Sequence, residues 1–247
     1  MVKRIAIQLM LVVLLPVAVK AGQQPTQPGW PQPVENERWF GYGILNQNEL
    51  RTGEGPSLYR WDGEGWYGGN LNRAWFKSEG NLELDSGALN EAEVQALYSR
   101  AISPFFNLQV GVRYDFEPTP SRTYGAFGVE GLAPMFVEVG AFGFVSNGGH
   151  YAVRLEGHYD MRLTQRLILQ PQFEANFYTA SERDRGIGSG FSDLDAGLRL
   201  RYEIRRQFAP YIGVTYQSKF GQTADFARAD GESVSAVRFV VGLRVWY

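Results

Sequence analysis

The chain has no cysteine among its 247 residues, which excludes structural disulfides and thiol chemistry. Histidine is nearly as scarce, with two, and methionine numbers four. Excess charge of one sign is missing too. With 24 Lys and Arg against 26 Asp and Glu, the formal charge is -2, which rules out a strongly basic nucleic-acid binder. Neither zinc-ligand spacing nor a phosphate-loop glycine motif occurs. Beyond the N-terminus no apolar run approaches the ~20 residues of a membrane-spanning helix. What is abundant points to β structure: 29 Gly, 16 Phe and 13 Tyr favour a turn-rich, aromatic sheet protein over a helical bundle. A hydrophobic content of 44% excludes disorder.

Lys3 and Arg4, an apolar run over residues 5–19, and the small residues Val19 and Ala21 have the form of a secretory signal cleaved after Ala21. Residues 1–21 are therefore expected to be a signal peptide. Its removal leaves 21 basic against 26 acidic side chains, an acidic mature chain. Residues 22–38 follow as a Pro/Gln-rich tether, since residues 23–36 (QQPTQPGWPQPVEN) favour extended, solvated backbone over a packed core. Residues 39–247 are then the folded unit, expected in the cell outer membrane of a Gram-negative bacterium if they form a barrel.

Within that unit the residues alternate. Phe106, Leu108, Val110, Val112, Tyr114 and Phe116 interleave with Asn107, Gln109, Gly111, Arg113 and Asp115. The same period-two pattern runs through residues 151–163, 167–179, 192–204, 210–220 and 236–247. Across the six segments the apolar face has 39 positions with no Asp, Glu, Lys or Arg, while the opposite face has 15 charged residues in 34. That period belongs to strands. A soluble sandwich also alternates, but about eleven residues tilted at ~45° span the ~25 Å apolar band of an outer-membrane barrel, about twice a usual soluble strand.

Short connections near residues 68–70, 103–105, 133–134, 164–166 and 206–208 are expected to alternate with longer ones at 51–56, 80–90, 117–122, 146–150, 181–190 and 221–234. The result is an all-β fold: a transmembrane antiparallel β-barrel of about 12 strands with both termini in the periplasm. The first three strands, within residues 39–81, alternate least cleanly. The last ends Val245-Trp246-Tyr247, which looks like the closing-strand signal recognised by barrel-assembly machinery. Outer-membrane lipid is the partner that the apolar face implies.

A charged face turned inward brings Asp193, Asp195, Arg199, Arg201 and Glu203 together with Arg154, Glu156, Asp160 and Arg162. Such groups pair, because isolated buried charges are costly. The expected lumen is narrow or plugged, unlike the wide pore typical of ~16–18 strands. The rival is a barrel hydrolase, which would need His150 as a rim base beside Ser146 or Ser189. For metal, Glu156, His158 and Asp160 share one face, but residues two apart along a strand stand ~7 Å from each other and need ligands from neighbouring strands. Met161 has the opposite parity to His158.

Several blocks carry a specific resemblance. Residues 61–80 (WDGEGWYGGNLNRAWFKSEG), 91–134 (beginning EAEVQALYSRAISPF and containing VGVRYDF), 163–172 (LTQRLILQPQ), 186–210 (GIGSGFSDLDAGLRLRYEIRRQFAP) and 219–227 (KFGQTADFA) closely resemble the copper-resistance protein B family. The likeness covers roughly residues 39–247. It implies a non-enzymatic outer-membrane barrel of a copper-defence system, handling copper together with exported periplasmic copper-binding and oxidase proteins. Family members commonly carry a Met- and His-rich segment before the barrel, suited to Cu(I) and Cu(II). Residues 23–36 stand in that place here and contain neither residue, so copper sequestration by that segment does not carry over. A narrow channel for another solute, without metal binding, is the alternative.

Overall fold

The computed structural model describes residues 39–147 and 149–247. The expected signal peptide and tether, residues 1–21 and 22–38, lie outside the described residues. Twelve antiparallel barrel strands follow one another in chain order: β1 (Phe40–Gly53), β2 (Leu58–Gly68), β3 (Asn72–Glu83), β4 (Leu89–Ala101), β5 (Phe106–Glu117), β6 (Arg122–Ala133), β7 (Val137–Ser146), β8 (Tyr151–Tyr159) with its short continuation β9 (Met161–Arg162), β10 (Leu167–Tyr178), β11 (Gly190–Tyr202), β12 (Phe208–Lys219) and β13 (Ser235–Trp246). Each pairs with its sequence neighbours, and β13 pairs back onto β1, with Ile44 opposite Trp246 and Gly53 opposite Arg238. The sheet is thereby closed and has no free edge.

The alternation read from the sequence becomes an inside-out protein. On β5, Gln109 is 0% exposed while its neighbour Val110 is 52% exposed; on β13, Val240 is 1% and Phe239 68% exposed. Arg51, Arg199 and Arg201 are among the largest fully buried side chains, and Leu108, Val112, Phe127, Ile212 and Val241 face outward. Hydrocarbon around the wall and polar groups inside it is the arrangement a lipid bilayer demands. Aromatic residues cluster outside the end that carries the chain terminus, where Trp39, Tyr67, Phe105, Phe136, Tyr202, Phe208 and Tyr247 are exposed, as in the interfacial girdles of membrane barrels.

Some elements differ from expectation. The connections opposite the terminus are mostly as short as those beside it, because β1 runs to Gly53 and β3 and β4 leave only residues 84–88 between them. Length is concentrated in the last two, residues 179–189 and 220–234. The second of these holds a helix, α1 (Gly221–Ala229), which a short polar stretch does not announce. Arg162 is exposed at the terminus end rather than inside. The weak alternation of β1 has a local cause: its register shifts between Leu45 and Glu49 against β13, and between Leu45 and Gln47 against β2.

Candidate functional site

The lumen has two chemically distinct sectors. Along β1, β2, β10 and β11 it is ionic. Glu49 accepts hydrogen bonds from Arg51 (2.8 Å), from both nitrogens of an Arg199 fork (2.7 and 2.9 Å) and from the Tyr211 hydroxyl (2.9 Å). Arg51 also reaches Asp195 at 2.6 Å. Arg60 bridges Glu79 (3.2 Å) and Glu174 (3.1 Å). Arg154 crosses toward the other side, pairing with Glu79 and with Glu93 at 3.0 Å. Shared charge-assisted hydrogen bonds of this kind let buried guanidiniums persist where isolated ones would not.

Along β3, β4, β6 and β7 the inward positions hold Trp75, Leu97, Tyr124, Phe142 and Phe144. These rings form a floor for cations: the Arg113 guanidinium lies 4.5 Å from the Phe144 centroid, and the Lys77 ammonium 4.6 Å from that of Phe142. Gly128 makes room for this stack, since a Cβ there would stand 2.3 Å from Phe142 Cδ1 and 2.6 Å from the Ala141 carbonyl oxygen.

The end opposite the terminus is partly covered by residues 179–189, which turn inward through a 3-10 turn, Arg183–Arg185. Arg185 donates to Asp115 (2.8 Å), to the Tyr124 hydroxyl (2.7 Å) and to the Pro118 carbonyl (3.1 Å). Burial opposes its charge, but the hydrogen bonds to Asp115 and Tyr124 outweigh that and hold its pKa above the ordinary arginine value. Helix α1 braces the same segment, its Thr223 hydroxyl oxygen accepting from the Gly188 amide at 2.8 Å.

The three residues singled out as metal ligands all face the lumen side of β8 or its end, and each has a different partner. Glu156 stands 3.8 Å from Lys77. His158 Nε2 stands 3.1 Å from Glu138 Oε2. Asp160, at the break between β8 and β9, accepts from Arg201 at 2.5 Å and lies 3.8 Å from Arg244. Among the described residues, no group of three or more His, Cys, Asp or Glu side chains is gathered as a metal centre. Glu138 escaped sequence reasoning, although β7 pairs it directly with His158. The groups considered for hydrolysis also look elsewhere. His150 Nδ1 lies 2.9 Å from Glu182, the Ser146 hydroxyl donates to the Thr123 carbonyl (2.7 Å), and that of Ser189 donates to Gln222 (3.1 Å).

Comparison with known proteins agrees with this architecture. A solved structure of the NanC porin superposes with a TM-score of 0.52, covering 83% of this chain and 99% of that one at 13% identity, a likeness of fold alone. Copper resistance protein B of Escherichia coli is 46% identical over 204 residues, 83% of this chain and 68% of that protein. The copper resistance protein B homolog of Pseudomonas syringae pv. tomato is 46% identical over 206 residues, 83% of this chain and 69% of that one. A barrel with such relatives fits an outer-membrane location. Residues 39–247 match the family described as copper resistance protein B precursor (CopB), and the chain belongs to that family.

Proposed function

We propose that this barrel serves copper resistance by passing copper ions, or helping to clear them, at the outer membrane, with copper as cargo rather than as a resident cofactor. The observation that carries the reading beyond family membership is the His158–Glu138 pair, an imidazole nitrogen and a carboxylate oxygen 3.1 Å apart on the lumen wall near the terminus end. Imidazole and carboxylate are donors that copper accepts. Glu156 and Asp160 flank this pair along the wall, so the three residues proposed as copper-contacting act in succession along a path and not as one three-ligand centre. With the terminus end in the periplasm, periplasmic copper-binding and oxidase proteins would meet the lumen from that side. The closing strand ending in Tyr247 would be the feature offered to barrel-assembly machinery.

Deleting the gene should lower copper tolerance more than tolerance of zinc or osmotic stress. The wild-type gene should restore it fully and a His158→Ala variant only in part. Unchanged copper tolerance in the deletion strain would overturn the proposal. A second reading, a narrow channel for another solute, draws on the internal pairing of so many lumen charges. Single-channel conductance that does not respond to copper would favour it.

A further inference from the structure

The two rims of the barrel carry opposite charge. Away from the terminus, Glu54, Asp85, Asp184, Asp225, Asp230 and Glu232 are exposed, and the exposed arginines there, Arg183 and Arg228, are paired with Asp230 (3.2 Å) and Asp225 (2.7 Å). At the terminus end the exposed charge is basic: Arg100, Arg162, Arg166, Arg205 and Arg206. Among the described residues, no ion pair ties any of these five side chains. The one exposed acidic side chain described at that rim, Glu138, is engaged by His158 at 3.1 Å.

Four of the five gather on adjacent turns. Arg162 and Arg166 bracket the turn from β9 to β10, and Arg205 and Arg206 lie in the turn from β11 to β12. The Glu203 amide donates to the Arg166 carbonyl at 2.8 Å, which holds the two turns side by side. The Glu203 carboxylate is half-buried and lies 4.0 Å from Arg201. Hydrocarbon is interleaved with the exposed charge: Leu163 and Ile204 are exposed in the same turns, and Tyr202 and Phe208 of the aromatic belt flank them. A second observation, independent of the arginines, lies farther along the same wall. Leu198, Leu200, Ile212, Val214, Phe239 and Val241 line an open apolar recess on the outside of the barrel. Leu200 stands opposite Ile212, and Ile212 opposite Val241, so the recess runs across β11, β12 and β13. Leu200 precedes Glu203 by three positions, which sets the recess about 10 Å from the arginine turns at ~3.3 Å per residue.

Charge at a rim and hydrocarbon at that distance from it fit an amphiphile. Planar guanidiniums match phosphate oxygens through paired hydrogen bonds, and basic groups beside a bilayer are drawn to anionic headgroups. An acidic protein surface would meet the arginines but leave the recess, which faces bilayer hydrocarbon, unused. We infer that Arg166, Arg205 and Arg206, together with the recess along β11–β13, form a site for an anionic phospholipid, with its phosphate at the turns and an acyl chain on the wall. With the terminus end in the periplasm, the lipid comes from the periplasmic leaflet. The site goes beyond the proposed function and does not depend on copper.

The test is titration of the full-length protein, refolded in neutral detergent, with phosphatidylglycerol and with phosphatidylethanolamine of the same acyl chains, read by native mass spectrometry. Wild type should hold phosphatidylglycerol at least tenfold more tightly. Replacing Arg166, Arg205 and Arg206 together by Gln should weaken that binding at least tenfold and abolish the preference. The pair Arg183→Gln and Arg228→Gln, at the other rim, should leave it unchanged. Ile212→Trp, which crowds the recess and alters no charge, should weaken long-chain phosphatidylglycerol severalfold and spare a short-chain analogue. It carries the test if the triple variant does not fold, folding being checked by heat-dependent gel migration. Equal affinity for the two lipids, or unchanged phosphatidylglycerol affinity in the triple variant or in Ile212→Trp, would overturn the inference. Displacement of the lipid by an equal concentration of inorganic phosphate would reduce the site to a phosphate clamp and overturn it as well. So would tighter capture of polyglutamate through the same arginines, which would assign the patch to an acidic protein.

Discussion

The two sectors of the lumen solve the same problem by different chemistry. On the β1–β2–β10–β11 side the space is filled by guanidiniums and carboxylates that satisfy one another, with Glu49 gathering Arg51, Arg199 and Tyr211. On the β3–β4–β6–β7 side it is filled by rings, and the cations there, Lys77 and Arg113, rest on aromatic faces as well as carboxylates. The ionic sector is rigid in composition, since removing one member strands another. The aromatic sector depends on shape, because rings need matching recesses. A barrel interior can therefore be filled without being uniform, and the two kinds of wall meet around Lys77, which has carboxylates on some sides and the Phe142 ring on another.

Three experiments break or sharpen this contrast. Glu49→Ala should have the largest effect. It leaves buried Arg199 without its carboxylate and Arg51 with Asp195 alone, and breaking a buried pair costs about 3–5 kcal/mol, measurable as a lowered urea midpoint in detergent. Gly128→Val should cost about 1–3 kcal/mol by overpacking, because the new Cβ meets Phe142 at 2.3 Å. The same assay should show a smaller loss than for Glu49→Ala. A double-mutant cycle on Arg113 and Phe144 should return a coupling of about 1 kcal/mol, the size of a partly desolvated cation–π contact. A coupling near zero would reduce the aromatic sector to simple space filling.

How much of this was legible in the sequence follows from which residues alternate. Wherever one face was apolar and the other charged, as in Leu108 to Asp115 or Leu194 to Arg201, strand, parity and inward charge could all be read. β7 could not be read so far, because Val139, Ala141 and Val145 outside interleave with Phe142 and Phe144 inside. With apolar residues on both faces, the period-two contrast flattens. The candidate site suffered a different loss. That His158 faces the lumen was readable from parity. That Glu138 is its partner was not, because it depends on the β7–β8 register. The inward turn of Arg185 left no periodic trace either, being one contact made by an irregular segment.

The ring closes between the first described strand and the last. The Tyr247 amide donates to the Gly43 carbonyl at 2.8 Å, and the Gly43 amide donates to the Tyr247 carbonyl at 2.9 Å. These two residues are separated by nearly the whole folded unit, so their pairing closes one very long loop. Completion of the cylinder therefore needs β13, and a fragment lacking that strand is an unfinished seam exposing raw β1 to whatever strand it encounters.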